Sequence, residues 1–211
     1  IIIWLLFMTG LRLGEAQALE WTDINFEDKT LTVSKSMYYK SANEFYVTEP
    51  KTRAGNRTIA LDDVTISYLA EWKSVQGRNV VSKYVLSYNG LPTNKSTTKH
   101  IIERHSKLAG VHTIKTHALR HSHASLLISL GENAIVVRDR LGHEDVETTL
   151  GTYGHLYPNT NIEVAKKLNN LISVKKDDTI TRNFISNQFV KNRQSGCNNI
   201  SLDCEEKEWD S

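Results

Sequence analysis

The chain has 211 residues, 39% apolar and 24% charged, the composition of a soluble globular protein with room for one large domain or two small ones. Its 26 basic and 24 acidic side chains leave a formal charge of +2, but between residues 73 and 120 nine Lys/Arg face the single acid Glu103, and between 29 and 57 six face two. Such a basic centre suits a polyanionic partner, although a solvated charged face has the same signature. Cys197 and Cys204 lack the paired spacing of a zinc site and suit a reducing, intracellular setting. The apolar opening, residues 1–8, is too short to span a bilayer and lacks the basic start of a signal peptide.

Residues 1–8 read as a buried helix stopped at Gly10, and residues 15–21 as the start of another. Ile24 and Phe26, then Leu31 and Val33, alternate with polar residues about the turn Glu27-Asp28-Lys29, which predicts a hairpin; a third strand is expected over 57–61. Asp62 is placed to cap a helix carrying Val64, Leu69 and Trp72. A short apolar run, 80–86, closes on the turn Asn89-Gly90-Leu91-Pro92. Helices are then expected over 93–109, 117–130, 133–141 and 161–172, with Gly110, Gly131 and Gly142 as stops. The fold class is mostly α with one small antiparallel β-sheet (α+β). Residues 1–172 form the expected domain. Residues 173–211, rich in Asn, Ser, Lys and acids, read as a polar tail that is disordered or docks on a neighbour through Phe184, Ile185, Phe189 and Val190.

Attack on a phosphodiester builds negative charge on the non-bridging oxygens, and without a metal that charge must be met by positioned cations. Arginine suits the task through its planar, permanently charged fork. Arg12 lies at a helix mouth in Thr9-Gly10-Leu11-Arg12-Leu13-Gly14-Glu15. Arg120 follows His117 by three residues in His117-Ala118-Leu119-Arg120-His121, on one helical face. Lys51 stands in Pro50-Lys51-Thr52, His143 in Leu141-Gly142-His143, and Tyr153 in Thr152-Tyr153-Gly154-His155. Each has an ordinary alternative: an ion pair to Glu15 for Arg12, a solvated loop for Lys51, a buried hydroxyl on a neighbour for Tyr153. A phenol with a pKa of about 10 is a weak nucleophile and needs cations or a base beside it. Tyr157 is the rival nucleophile and Arg53 the rival of Lys51, while His121 and His123 read as packing or supporting residues. His117 and His121 have the spacing of a metal-binding helix, but Ala118 stands where the general base would and no third ligand is apparent.

In order and spacing these motifs resemble the tyrosine recombinase (phage integrase) family over residues 3–171. The resemblance implies an integrase catalytic core that cuts and rejoins duplex DNA through a 3′-phosphotyrosine. Tyr153 would be the nucleophile, Arg12 and Arg120 would hold the phosphate, and His117 and His143 would serve in hydrogen bonding and proton transfer. Lys51, on a mobile β-hairpin, would protonate the leaving 5′ oxygen. No cofactor, ATP or metal is implied. Further N-terminal DNA-binding domains, four protomers acting on two double-stranded attachment sites, an element-encoded directionality factor and a bacterial cytoplasmic setting are implied as well. The Pro-Lys-Thr turn and the tyrosine ten residues beyond Leu-Gly-His look most like integrases of phages and conjugative elements of Gram-positive bacteria. Two positions depart from the pattern. Ala118 stands where many relatives carry Asp, and Gly151 where they carry Asn or Asp; a glycine there is expected to loosen the segment that carries the nucleophile. The alternatives are a host recombinase resolving chromosome dimers, a type IB topoisomerase, and a DNA-binding regulator without catalysis.

Overall fold

The first helix, α1 (Ile2–Thr9), is apolar on all sides, as a fully enclosed helix must be, and buries Ile2, Leu5, Leu6 and Thr9. It ends at Gly10, whose φ of 66° is left-handed and whose absent Cβ leaves room for the His123 ring; a Cβ there would lie 2.6 Å from His123 Cδ2. This computed structural model describes residues 1–41, 44–50, 52–157 and 161–169. The chain divides into units 1–158 and 159–211, and of the second unit only α8 (Asn161–Asn169) is described. The domain boundary expected after residue 172 and the polar tail therefore lie outside the described residues.

Within the first unit, α2 (Leu13–Ala18) leads into a three-stranded antiparallel sheet of order β1 (Ile24–Asn25), β2 (Thr30–Val33), β5 (Arg57–Ala60), with Leu31 opposite both Ile24 and Ile59. Their inward side chains join α1, Leu69 and Leu86 in the main core. The helices that follow are α3 (Asp63–Asn79), α4 (Lys95–Ala109), α5 (Thr116–Ser129), α6 (Ala134–Leu141) and α7 (Val146–Tyr153). Ala124 and Ile128 of α5, Val137 and Leu141 of α6, and Tyr153 of α7 form a second, smaller core. Among the described residues no helix is long and apolar enough to cross a membrane.

Three features differ from expectation. First, there are two sheets: β3 (Ser36–Tyr39) and β4 (Phe45–Thr48) form a separate antiparallel ribbon. Tyr38, Tyr46 and Val47 are exposed, so no core-facing alternation announces these strands. Second, α2 stops at Ala18 because Leu19 and Trp21 pair with the extended segment beyond α3: Val85 N donates to Leu19 O and Trp21 N to Lys83 O, both at 2.9 Å. Tertiary pairing overrides the helical propensity of this stretch. Third, α7 has no counterpart among the expected helices, since Thr148, Thr149, Gly151 and Thr152 are weak helix formers. The helix is started by Asp145, whose carboxylate accepts from the amide and hydroxyl of Thr148, and is anchored by the fully buried Thr149.

Asp62 caps α3 as expected, accepting from Thr65 N at 2.9 Å and Thr65 Oγ1 at 2.6 Å, while Trp4 Nε1 donates to the same hydroxyl at 3.0 Å. The cap thus ties α3 to α1. Asp62→Ala is expected to lower unfolding free energy by about 1–2 kcal/mol in urea titrations, with Asp62→Asn much closer to wild type.

Candidate active site

The site is organised by the carboxyl end of α6. Gly142, with φ of 69°, turns the chain there, and the amides of Gly142 and His143 fold back onto the Arg138 and Asp139 carbonyls. The next three carbonyls have no helical amide to receive. Each accepts instead from an arginine of a different element. Arg57 Nε of β5 meets Arg140 O at 2.9 Å, Arg120 Nη2 of α5 meets Leu141 O at 2.8 Å, and Arg12 Nη2, at the N-cap of α2, meets Gly142 O at 3.2 Å. The negative end of the helix dipole favours the same cations. A Cβ on residue 142 would lie 2.7 Å from Arg57 Nη1 and 2.9 Å from Ala54 O, so glycine is required by packing as well as by φ.

A second anchor is Glu15, whose side chain is 4% exposed. Its carboxylate accepts from Arg12 Nη1 at 2.8 Å, Arg57 Nη2 at 2.9 Å and the Arg12 amide at 2.9 Å. Burial alone would raise this carboxyl; the bonds and charge of Arg57, then Arg12, hold it below its usual range. The ion pair considered as an alternative role for Arg12 is therefore present and orients it. Arg120 differs. It is 3% exposed and is held by carbonyls, Gly10 O at 2.7 Å besides Leu141 O, which use two of its five donors. Burial, then repulsion from Arg12, lower its pKa to about 10, so it stays charged at neutral pH. Arg140 braces the rear through Ala60 O, Met8 O and His123 Nε2.

Tyr153 closes α7, buried in the smaller core, with Oη 2.7 Å from His121 Nδ1. The His117 ring stands edge-on to His121, centroids 4.7 Å apart. Burial raises the Tyr153 pKa, opposed by Arg120. His143 Nδ1 lies 2.9 Å from Thr149 Oγ1; burial, then Arg120, Arg12 and Arg57, push its pKa down to about 4. His117 is lowered too, by burial and then by His121 and the two arginines. At neutral pH His143 thus offers hydrogen bonds rather than charge. His117 also edges a cleft of about 800 Å³ lined by Lys95, Lys99 and Lys115, part of the basic centre seen in the sequence.

Five of the six expected residues, Arg12, Arg120, His117, His143 and Tyr153, come together. The sixth, Lys51, lies outside the described residues. Its segment joins β4 to β5, strands of different sheets, and its rival Arg53, itself exposed, opens the helical turn Arg53–Gly55. Tyr157 packs against the smaller core with its hydroxyl enclosed. Gly151, expected to loosen the tyrosine segment, sits inside α7 with open space where a Cβ would be. Sequence patterns alone miss the partner of the tyrosine, His121, and the bracing arginines Arg57 and Arg140. For His121 the available signal is its place immediately after Arg120 on α5. Among the described residues no group of three or more His, Cys, Asp or Glu side chains is arranged to hold a metal ion.

Guanidinium and imidazole groups converging beside a buried phenol form a site for an anionic group within reach of a tyrosine. The chain belongs to the phage integrase family, whose profile matches residues 1–160. It is 37% identical over 174 residues to the ICEBs1 integrase of Bacillus subtilis (strain 168), covering 79% of this chain and 47% of that protein. It is also 31% identical over 158 residues to transposase A of transposon Tn554 from Staphylococcus aureus, covering 74% and 43%. The chain thus spans about half the length of the curated relatives it matches. The solved Tn1549 transposon integrase in complex with circular intermediate DNA shares the fold at a TM-score of 0.67 and 23% identity, over 81% of this chain and 58% of that one.

Two outcomes follow from the buried groups. Glu15→Ala strands Arg57 without its carboxylate and is expected to cost about 3–5 kcal/mol in urea unfolding, whereas Arg53→Ala changes stability by less than about 0.5 kcal/mol. His123, like His143, is held at about 4 in the fold by burial and a neighbouring arginine, against 6.5 for a free imidazole. Between those values the unfolded chain binds more protons, so the stability present above 6.5 is lost as pH falls toward 4. His123→Gln keeps an acceptor for Arg140 but does not titrate, and its melting temperature should fall less steeply than that of wild type over this window.

Proposed function

We propose that the chain is the catalytic part of a site-specific DNA recombinase that cuts and rejoins duplex DNA through a 3′-phosphotyrosine at Tyr153. Its biological role is the integration and excision of a mobile element in a bacterial cytoplasm. One observation carries this assignment: the only described tyrosine hydroxyl held by a histidine lies beside Arg120, on the same helix end that positions Arg12 and His143. The relatives support it, being named as an integrase and a transposase of mobile elements.

In this mechanism Arg12 and Arg120 receive the two non-bridging oxygens of the scissile phosphate. Their unused donors give bidentate, charge-assisted bonds that strengthen as negative charge develops. His143, neutral and fixed by Thr149, donates a further bond, and His117 lines the approach from the lysine-bearing cleft. Tyr153 Oη attacks phosphorus, the 5′ oxygen leaves and takes a proton from Lys51, and the ester stored on the tyrosine drives rejoining without ATP. The same assignment has four protomers working on two double-stranded attachment sites, with an element-encoded directionality factor as partner.

Covalent trapping tests it. The protein is incubated in EDTA with nicked duplexes carrying candidate element-junction sequences and resolved on a denaturing gel. A protein–DNA adduct is expected for wild type and none for Tyr153→Phe, with DNA binding retained by both; a surviving adduct in the variant would move the nucleophile elsewhere. Affinity should fall by about 0.9 log units per phosphate contact for each tenfold rise in salt, and Arg12→Ala should flatten that slope by about one contact.

A further inference from the structure

We propose that His121 is the general base of the cleavage step, accepting the phenolic proton of Tyr153 as its oxygen attacks phosphorus. The inference deepens the function proposed above and rests on it. The geometry is direct. Nδ1 lies 2.7 Å from Tyr153 Oη, within the reach a proton transfer requires. Among the described residues no other side chain is within hydrogen-bond distance of that hydroxyl. Both partners are fixed. Tyr153 is packed in the smaller core with Ala124, Ile128, Val137 and Leu141, and the His121 ring stands at right angles to that of His117, centroids 4.7 Å apart.

The other basic groups of the site do not reach that hydroxyl: the ring of His117 meets the ring of His121 instead. His143 Nδ1 is turned to Thr149, His123 Nε2 receives Arg140, and Glu15 is locked between Arg12 and Arg57. Arginines cannot act as bases near neutrality. His121 is the group left with both access to the nucleophile and a free lone pair. Its Nδ1 accepts from the hydroxyl when the ring is neutral and protonated at Nε2.

The step balances. The Tyr153 O–H bond breaks and its proton passes to Nδ1; the Oη–P bond forms; the P–O5′ bond breaks, and the leaving oxygen is protonated from a different group, assigned above to Lys51. In rejoining, the 5′ hydroxyl attacks and its proton returns to Lys51, the O–P bond to tyrosine breaks, and the imidazolium of His121 returns its proton to the phenolate. A base for the nucleophile and an acid for the leaving group are thus separate residues.

The experiment compares cleavage rates on two DNAs, one with the natural 5′ oxygen and one with a 5′-bridging sulfur, which leaves without needing a proton. Wild type, His121→Ala and His121→Asn are assayed in single turnover, with DNA affinity and melting temperature measured for each. Asparagine places an acceptor near the position of Nδ1 but cannot carry the proton away. Both variants are expected to bind DNA and to cleave at least about 100-fold more slowly on either substrate, whereas Lys51→Ala should be slow only with the oxygen leaving group. Near-wild-type cleavage by His121→Asn would make the contact one of positioning and overturn the inference. Rescue of His121→Ala by sulfur would place His121 on the leaving group and overturn it as well, as would wild-type rates in both variants. Failure of the wild type itself to form an adduct would remove the recombinase assignment beneath it, an outcome distinct from all of these.

Discussion

The three unsatisfied carbonyls at the end of α6 are the constraint on which the site depends. A helix that ends in the interior must give its last carbonyls to something, and here Arg140, Leu141 and Gly142 give theirs to Arg57, Arg120 and Arg12. These arginines come from β5, α5 and the start of α2, elements far apart in the chain, so the helix end gathers the sheet, the long helix and the N-terminal segment on one point. A left-handed glycine is needed to expose the carbonyls, and the lack of a side chain on it leaves room for Arg57.

How the guanidinium groups are held decides how much charge they keep. A carboxylate fixes an arginine and cancels it; a carbonyl fixes it and leaves the charge intact. Arg57 shares the Glu15 carboxylate with Arg12 and gives Nε to the Arg140 carbonyl, which suits a brace. Arg120 is held by the carbonyls of Gly10 and Leu141 and keeps its full charge in a buried position, where an incoming anion feels it most. Arg12, like Arg57, touches Glu15 and a carbonyl, but its side chain is 43% exposed. Burial, and then the same field, keep His143 neutral, and an anionic ligand would offset the second of these.

The parts of the fold legible in the sequence are those with local causes. Asp62, Gly110 and Gly142 mark helix ends by their own chemistry, and the observed ends match. The hairpin about residues 27–29 is legible because one face of it is buried. The β3–β4 ribbon is hidden because most of its side chains face solvent, and α7 because its residues favour helix only once Asp145 and the buried Thr149 are in place. In the site, Arg12, Arg120, His143 and Tyr153 stand in short motifs that name them on their own. His121 does not, since its importance comes from a tyrosine 32 positions away that α6 and α7 return to it. Arg57 and Glu15 are likewise defined by contacts 42 residues apart.

Helix α7 is unevenly built along its length. At its start Asp145 caps both the amide and the hydroxyl of Thr148, and Thr149 is enclosed; near its end stand Gly151, which touches nothing with the Cβ it lacks, and the exposed Thr152. Glycine weakens a helix interior by about 1 kcal/mol relative to alanine. The cap and the enclosed Thr149 secure the end that holds His143 in place, while the end that carries Tyr153 is secured by its ring in the smaller core. Firmness at the His143 end thus comes from the cap of the helix itself and at the tyrosine end from packing against α5 and α6, so the two ends of one two-turn helix are held by different means.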